Sequence, residues 1–132
     1  MSNNLINTIK NRKRLFKLDG ANDEQIGEAE KTLALNFSEE YKSYLKEFGC
    51  ISFNNHEFLG LNTSDRLSVV LTTQFEKMSR KNLFPKDMYV VEVINDGDIL
   101  ILQNNDGEIF ELQYNGESKK IYSSLNEYLK SI

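Results

Sequence analysis

Two Asp-Gly steps, Asp96-Gly97 and Asp106-Gly107, constrain this chain more than any other feature in it. A two-residue hairpin loop of type I′ needs positive φ at both central positions, and Asp-Gly adopts that conformation readily. The steps cut residues 88–114 into three β-rich runs at 88–95, 98–105 and 108–114. Each run has the length of a single strand, so an antiparallel meander is expected. Two-residue loops would also fix the register. They put Val93 opposite Leu100, Val91 opposite Leu102, Ile101 opposite Leu112 and Ile99 opposite Tyr114. One face would then carry Val90, Ile94, Ile99, Ile101, Phe110, Leu112 and Tyr114 and hold the main core. The other, with Tyr89, Val91, Val93, Leu100 and Leu102, would be only partly covered.

The same stretch is acidic. No Lys or Arg lies between Lys86 and Lys119, but Asp87, Glu92, Asp96, Asp98, Asp106, Glu108, Glu111 and Glu117 do. Charged turns and edges keep a sheet soluble, which accounts for such residues without any partner. A docking surface for a basic macromolecule is the alternative. The net charge of −4 conceals an asymmetry. Residues 1–20 hold five Lys and Arg against Asp19, a charge of +4, which leaves −8 on residues 21–132. An acidic body disfavours direct nucleic-acid binding, which needs a basic footprint. The Lys10–Lys17 run is expected to be a solvated helix face.

With 132 residues, the chain is expected to form one domain, 1–132, with a core of its own. No apolar run is long enough to cross a bilayer, and the first residues lack the layout of a signal peptide. A single cysteine, Cys50, permits no internal disulfide, and a cytoplasmic protein is expected.

Apolar spacing predicts helices around the meander. The first spans 3–15, with Leu5, Ile6 and Ile9 on one side. A second spans 23–35, with Asn22 and Gln25 forming a capping box and Ile26, Ala29 and Leu33 facing inward. Ser38 starts a third over 39–48, with Tyr41, Tyr44, Leu45 and Phe48 inward, and Gly49 is expected to end it with positive φ. Residues 51–53 and 57–61 are expected to make a short hairpin or an irregular β arm. A fourth helix over 65–80 places Leu67, Val70, Leu71, Phe75 and Met78 on its buried stripe. Lys119–Tyr122 adds a strand, and Ser124 with Glu127 caps a last helix. The fold class is therefore α+β: an antiparallel meander packed with N-terminal, middle and C-terminal helices.

The residues offer little for chemistry. One His and one Cys cannot build a zinc site, and the terminal Glu of a calcium loop is missing around Asp96–Asp106. Gly97 and Gly107 open no helix, so neither cradles a phosphate. His56 is expected on the surface and Cys50 as a small buried apolar group. No catalytic residue, metal or cofactor is assigned, and an enzyme is not expected.

The segments Asn22-Asp23-Glu24-Gln25-Ile26 and Leu35-Asn36-Phe37-Ser38-Glu39-Glu40-Tyr41-Lys42-Ser43-Tyr44-Leu45-Lys46-Glu47-Phe48-Gly49 carry a resemblance. So do Asn95-Asp96-Gly97-Asp98-Ile99, Asn105-Asp106-Gly107-Glu108-Ile109-Phe110 and Ser124-Leu125-Asn126-Glu127-Tyr128-Leu129. In order and spacing, they resemble the SUKH superfamily over about residues 22–129. Phe37-Ser38 replaces the usual proline before the third helix, Cys50 a second glycine, and Leu125 an aromatic. The resemblance implies a non-enzymatic binding protein. Bacterial members are chiefly immunity proteins that block a cognate toxin, often a nuclease, and fungal relatives regulate cell-wall assembly. A nuclease must display Lys and Arg to grip phosphate, and an acidic inhibitor can mask that surface. The expected partner is therefore a basic toxin domain, with the protein itself a monomer or weak homodimer. Tyr89, Asp96, Asp98, Asp106, Glu108 and Glu111 are the expected contacts, Tyr89 as an aromatic anchor.

Overall fold

A computed structural model describes residues 2–132. It is an α+β fold with two antiparallel sheets. The element order is α1 (Ser2–Lys10), β1 (Phe16–Asp19), α2 (Asp23–Leu33), α3 (Glu39–Glu47), β2 (Phe48–Phe53), β3 (His56–Phe58), α4 (Val69–Arg80), β4 (Tyr89–Ile94), β5 (Ile99–Gln103), β6 (Ile109–Gln113), β7 (Ser118–Tyr122) and α5 (Leu125–Lys130). Short 3-10 turns, Asp65–Leu67 and Lys81–Leu83, flank α4. The first sheet has order β1-β2-β3, and the second is the expected meander extended by one strand, β4-β5-β6-β7.

The helix caps follow from local chemistry. Asn22 Oδ1 accepts from the Gln25 amide and Gln25 Oε1 accepts from the Asn22 amide, so the capping box of α2 is complete. Ser38 accepts from the Tyr41 amide at 3.0 Å and Ser124 from the Glu127 amide at 3.1 Å. Gly49 behaves otherwise than expected. Phe48 leaves α3 directly into extended backbone and begins β2, so no left-handed residue is needed there. Close approach is what requires glycine: a Cβ on Gly49 would lie 2.7 Å from the Asp19 carbonyl, and one on Gly60 only 1.8 Å from the Gly49 carbonyl.

At the first Asp-Gly step the expected register holds, but Asn95 is left-handed too and Asp98 helical, so the four residues 95–98 separate the paired Ile94 and Ile99. Asp96 and Gly97 both have positive φ, the Asp98 amide donates to the Asn95 carbonyl, and Val93 pairs with Leu100. At the second step the expected register does not hold. Among non-glycine residues Asp106 is absent from the left-handed region; only Gly107, at φ +92°, enters it. Asn104 Oδ1 accepts from the amides of Asp106 and Glu108. These bonds close a three-residue loop in place of a two-residue one. The register slips by one: Leu100 pairs with Leu112 and Ile101 with Glu111. A one-residue slip moves every side chain of β6 to the opposite face. Tyr114, expected in the core, is 73% exposed.

A second irregularity lies in β4. Val90 pairs with Leu102 and Glu92 with Ile101, so Val91 is an extra, bulged residue. Its carbonyl accepts from the Leu59 amide at 2.9 Å and so joins the two sheets edge to edge. The bulge exchanges the faces of Tyr89 and Val90. Tyr89 joins Gln103 and Ile109 on the face that meets Ser38 and the α3 aromatics, while Val90 joins Leu102. Leu100, Ile101 and Leu102 alternate between the faces and all are almost fully inaccessible, so both faces are covered along β5, while Val93 is 37% exposed and β7 is exposed over Ser118–Lys120; the expected division into a core face and a half-covered face does not hold.

Two further differences concern helices. The first ends at Lys10, and residues 16–19 are a strand paired with β2. The fourth is turned over: Val69, Thr73, Glu76 and Arg80 face inward, while Leu71, Phe75 and Met78 are exposed.

Candidate functional site

Tyr89, expected as an aromatic anchor, lies in the core and presents no surface to a partner. It is fully buried, its ring lies 4.8 Å from Phe37 and 4.9 Å from Tyr41, and its hydroxyl donates to Gln103 Oε1 at 2.7 Å and accepts from the Ser38 amide at 3.0 Å. Burial pushes its phenol pKa upward. The exchange of faces at the Val91 bulge put it there, and no local pattern marks that bulge.

The five expected acids divide. Asp96, Asp98 and Asp106 are exposed on turns, and none has a Lys or Arg within ion-pair distance among the described residues. Glu108 is half-buried, 2.9 Å from Lys120 Nζ, and bonded to Asn104; these contacts lower its pKa, the Asn104 bond first. Glu111 is also half-buried and accepts from Gln113 Nε2. Asp96 and Asp98 share one loop, whereas Asp106 lies at the opposite end of β5, so the set is not one patch.

A different group surrounds Asp96. The outward stripe of α4 carries Leu71, Phe75 and Met78, which are 45%, 64% and 75% exposed. Two grooves, of about 790 and 360 Å³, run beside it and share Phe75, Glu76 and Asp96. Five acids line them (Glu57, Asp65, Glu76, Asp96 and Asp98) against two arginines and no lysine. Both arginines are engaged. Arg66 forms a bidentate pair with Glu57, at 2.7 and 3.0 Å, and this pair lowers the Glu57 pKa. Arg80 is buried with Glu76 at 2.8 Å and also donates to the Gly97 carbonyl. Periodicity did reveal the apolar stripe on α4, though not its direction.

The family model described as SMI1-KNR4 cell-wall, SUKH_5, matches residues 2–132. The chain belongs to the SUKH superfamily. No curated protein matches it. Membership makes it a protein-binding module of the immunity or SMI1/KNR4-like kind, in a family that is generally non-catalytic. No helix among the described residues is long and apolar enough to cross a membrane.

The buried polar groups of this SUKH fold serve its architecture. Glu40 Oε1 accepts from Gln103 Nε2 and from the Leu125 amide, and its other oxygen accepts from the Asn126 amide; one carboxylate thus ties α3 to β5 and to the start of α5. Glu92 is 3% exposed, receives the Tyr128 hydroxyl, and lies 2.6 Å from His56 Nδ1. His56, expected on the surface, is half-buried here. Burial first, and then the Glu92 carboxylate, push the Tyr128 phenol pKa upward. Cys50 is buried as expected, 3.4 Å from Thr63 Oγ1. The N-terminal basic run is partly used internally: Lys10 pairs with Glu47, and Arg12 lies over the Phe53 ring and donates to the Leu129 carbonyl.

Proposed function

We propose that this SUKH protein is an immunity protein that binds a cognate toxin domain and neutralises it by covering it, the toxin being a basic protein such as a nuclease. The observation that carries the reading is that Asp96, Asp98 and Asp106 stand exposed and form no ion pair among the described residues, the nearby Arg80 guanidinium being taken by Glu76 and the Gly97 carbonyl. Unpaired surface carboxylates on a body of charge −8 steer a basic partner, and those that meet it complete their pairing on contact. Family membership supports protein binding in general, and the SMI1-KNR4 cell-wall description supports a second reading as a regulatory or scaffold module.

Coexpression with the toxin encoded beside its gene tests the first reading. Cell survival and co-purification of a stable complex are expected. Cell death with no complex on purification refutes it. Removing one partner of a central, desolvated charge pair should cost about 2–5 kcal/mol, whereas rim charges change mainly the association rate.

A further inference from the structure

The fourth helix is built in the reverse of the usual sense. An amphipathic surface helix turns its apolar stripe to the core. Here the inward residues Thr73, Glu76 and Arg80 are polar and satisfied. Thr73 Oγ1 accepts from the Val90 amide at 3.0 Å, Glu76 and Arg80 pair at 2.8 Å, and Arg80 reaches the Gly97 carbonyl. These bonds lock the rotation of α4. They hold Leu71, Phe75 and Met78 in water, spaced i, i+4 and i+7 along one line. Val93, 37% exposed, flanks the same groove from β4.

We infer that this outward face of α4, together with the Asn95–Asp98 turn, is the docking surface, and that its occupant is a cationic protein surface that leads with apolar side chains. The inference rests on the immunity reading above and assigns it a place and a chemistry. Charge complementarity selects the occupant. Asp65, Asp96 and Asp98 rim the groove without partners among the described residues, while its two arginines are already paired. A second copy of this chain would bring those carboxylates face to face, which like-charge repulsion disfavours. Lys or Arg flanking an apolar anchor would instead seat in the acidic rim as the anchor covers Phe75. Apolar contacts in a desolvated centre then hold the complex, and the charges set its orientation and approach.

The test uses the full chain, with the toxin domain encoded by the neighbouring gene as the probe, measured by calorimetry at two salt concentrations. Phe75→Asp is compared with D96N/D98N and with D106N at the far end of β5. Phe75 is 64% exposed, so Phe75→Asp should leave the thermal melt nearly unchanged, and Leu71→Ser serves as a second variant should it not. Phe75→Asp is expected to weaken binding by about 100-fold or more, the scale of an interface hot spot. D96N/D98N should weaken it roughly tenfold and flatten its salt dependence, because exposed charges act through screened fields. D106N should leave the affinity nearly unchanged, because Asp106 adds to the long-range field that steers the partner without entering this contact. A wild-type complex indifferent to Phe75→Asp and Leu71→Ser overturns this surface and leaves the immunity reading standing. Failure of the wild type to bind the toxin domain sinks both. A wild-type dimer that Phe75→Asp converts to monomer shows the face to be a self-interface and likewise overturns the inference.

Discussion

Removing the Tyr89 hydroxyl separates a structural role from a binding role at one atom. Tyr89→Phe keeps the ring and its edge contacts with Phe37 and Tyr41, so it opens almost no cavity. What changes is the polar cluster beneath the start of α3. The Ser38 amide loses its acceptor at 3.0 Å, and Ser38 is itself 2% exposed, so no water replaces it. Gln103 Oε1 loses a donor at 2.7 Å but keeps the Ser38 hydroxyl at 3.1 Å. One buried donor is thus left unpaired and one acceptor is weakened. An orphaned buried group costs about 1–3 kcal/mol. Taking about 2 kcal/mol, Tm should fall by roughly 6–12 °C for a chain of this size. Urea unfolding followed by far-UV circular dichroism should show a lower midpoint at unchanged slope, the mark of altered stability rather than altered denatured state. Binding of the folded variant to its partner should match wild type. Unchanged stability with weakened binding would place Tyr89 in the interface and refute the packing argument.

Three other outcomes follow from the geometry. The Glu57 carboxyl, held below its ordinary pKa by Arg66, contributes stability above the ordinary Glu range and loses it as pH falls through its own titration. Being exposed, the pair is worth little, so NMR titration rather than a melt should detect it, and Arg66→Ala should return Glu57 toward its ordinary value. Gly60→Ala should abolish soluble, folded protein, because its Cβ would sit 1.8 Å from the Gly49 carbonyl. Double-mutant cycles on Glu92→Ala and His56→Ala should give a coupling of about 0.5–3 kcal/mol in denaturant titrations, since each leaves the other's polar atom unpaired.

Much of the fold could be read from local chemistry, and the departures have two causes, one local and one long-range. The two Asp-Gly steps are the same dipeptide and make different turns. The residue two places before the step separates them: Ile94 has no acceptor side chain, whereas Asn104 offers Oδ1 to the amides of Asp106 and Glu108. That asparagine is a local signal, because its side chain competes for the loop amides. The Val91 bulge left no comparable trace. It is stabilised by Leu59, about 30 residues away, and a long-range hydrogen bond has no periodicity. The strand Phe16–Asp19 likewise leaves no local signal, because it exists through pairing with β2.

The candidate site shows the same boundary between local and non-local information. Spacing locates the line Leu71, Phe75 and Met78 on a helix, but it cannot say which side of that helix meets the sheet. The apolar stripe is the default choice, since burying it gains about 25 cal/mol per Å². Three polar contacts overrule that gain: the Val90 amide takes Thr73, the Gly97 carbonyl takes Arg80, and Glu76 completes the ion pair within the buried layer. A buried ion pair of this kind is weak evidence for stability, because desolvation offsets its attraction. Replacing Glu76 and Arg80 together with Leu should therefore be tolerated far better than replacing either alone. Leucines at positions 76 and 80 keep the inward face of α4 buried and apolar, so the helix should hold its rotation and an indole reporter at position 75, Phe75→Trp, should still emit as in water. An indole at position 75 that became protected from solvent in that double variant would show that the Glu76–Arg80 pair itself, and not the burial of those two positions, decides which way α4 faces.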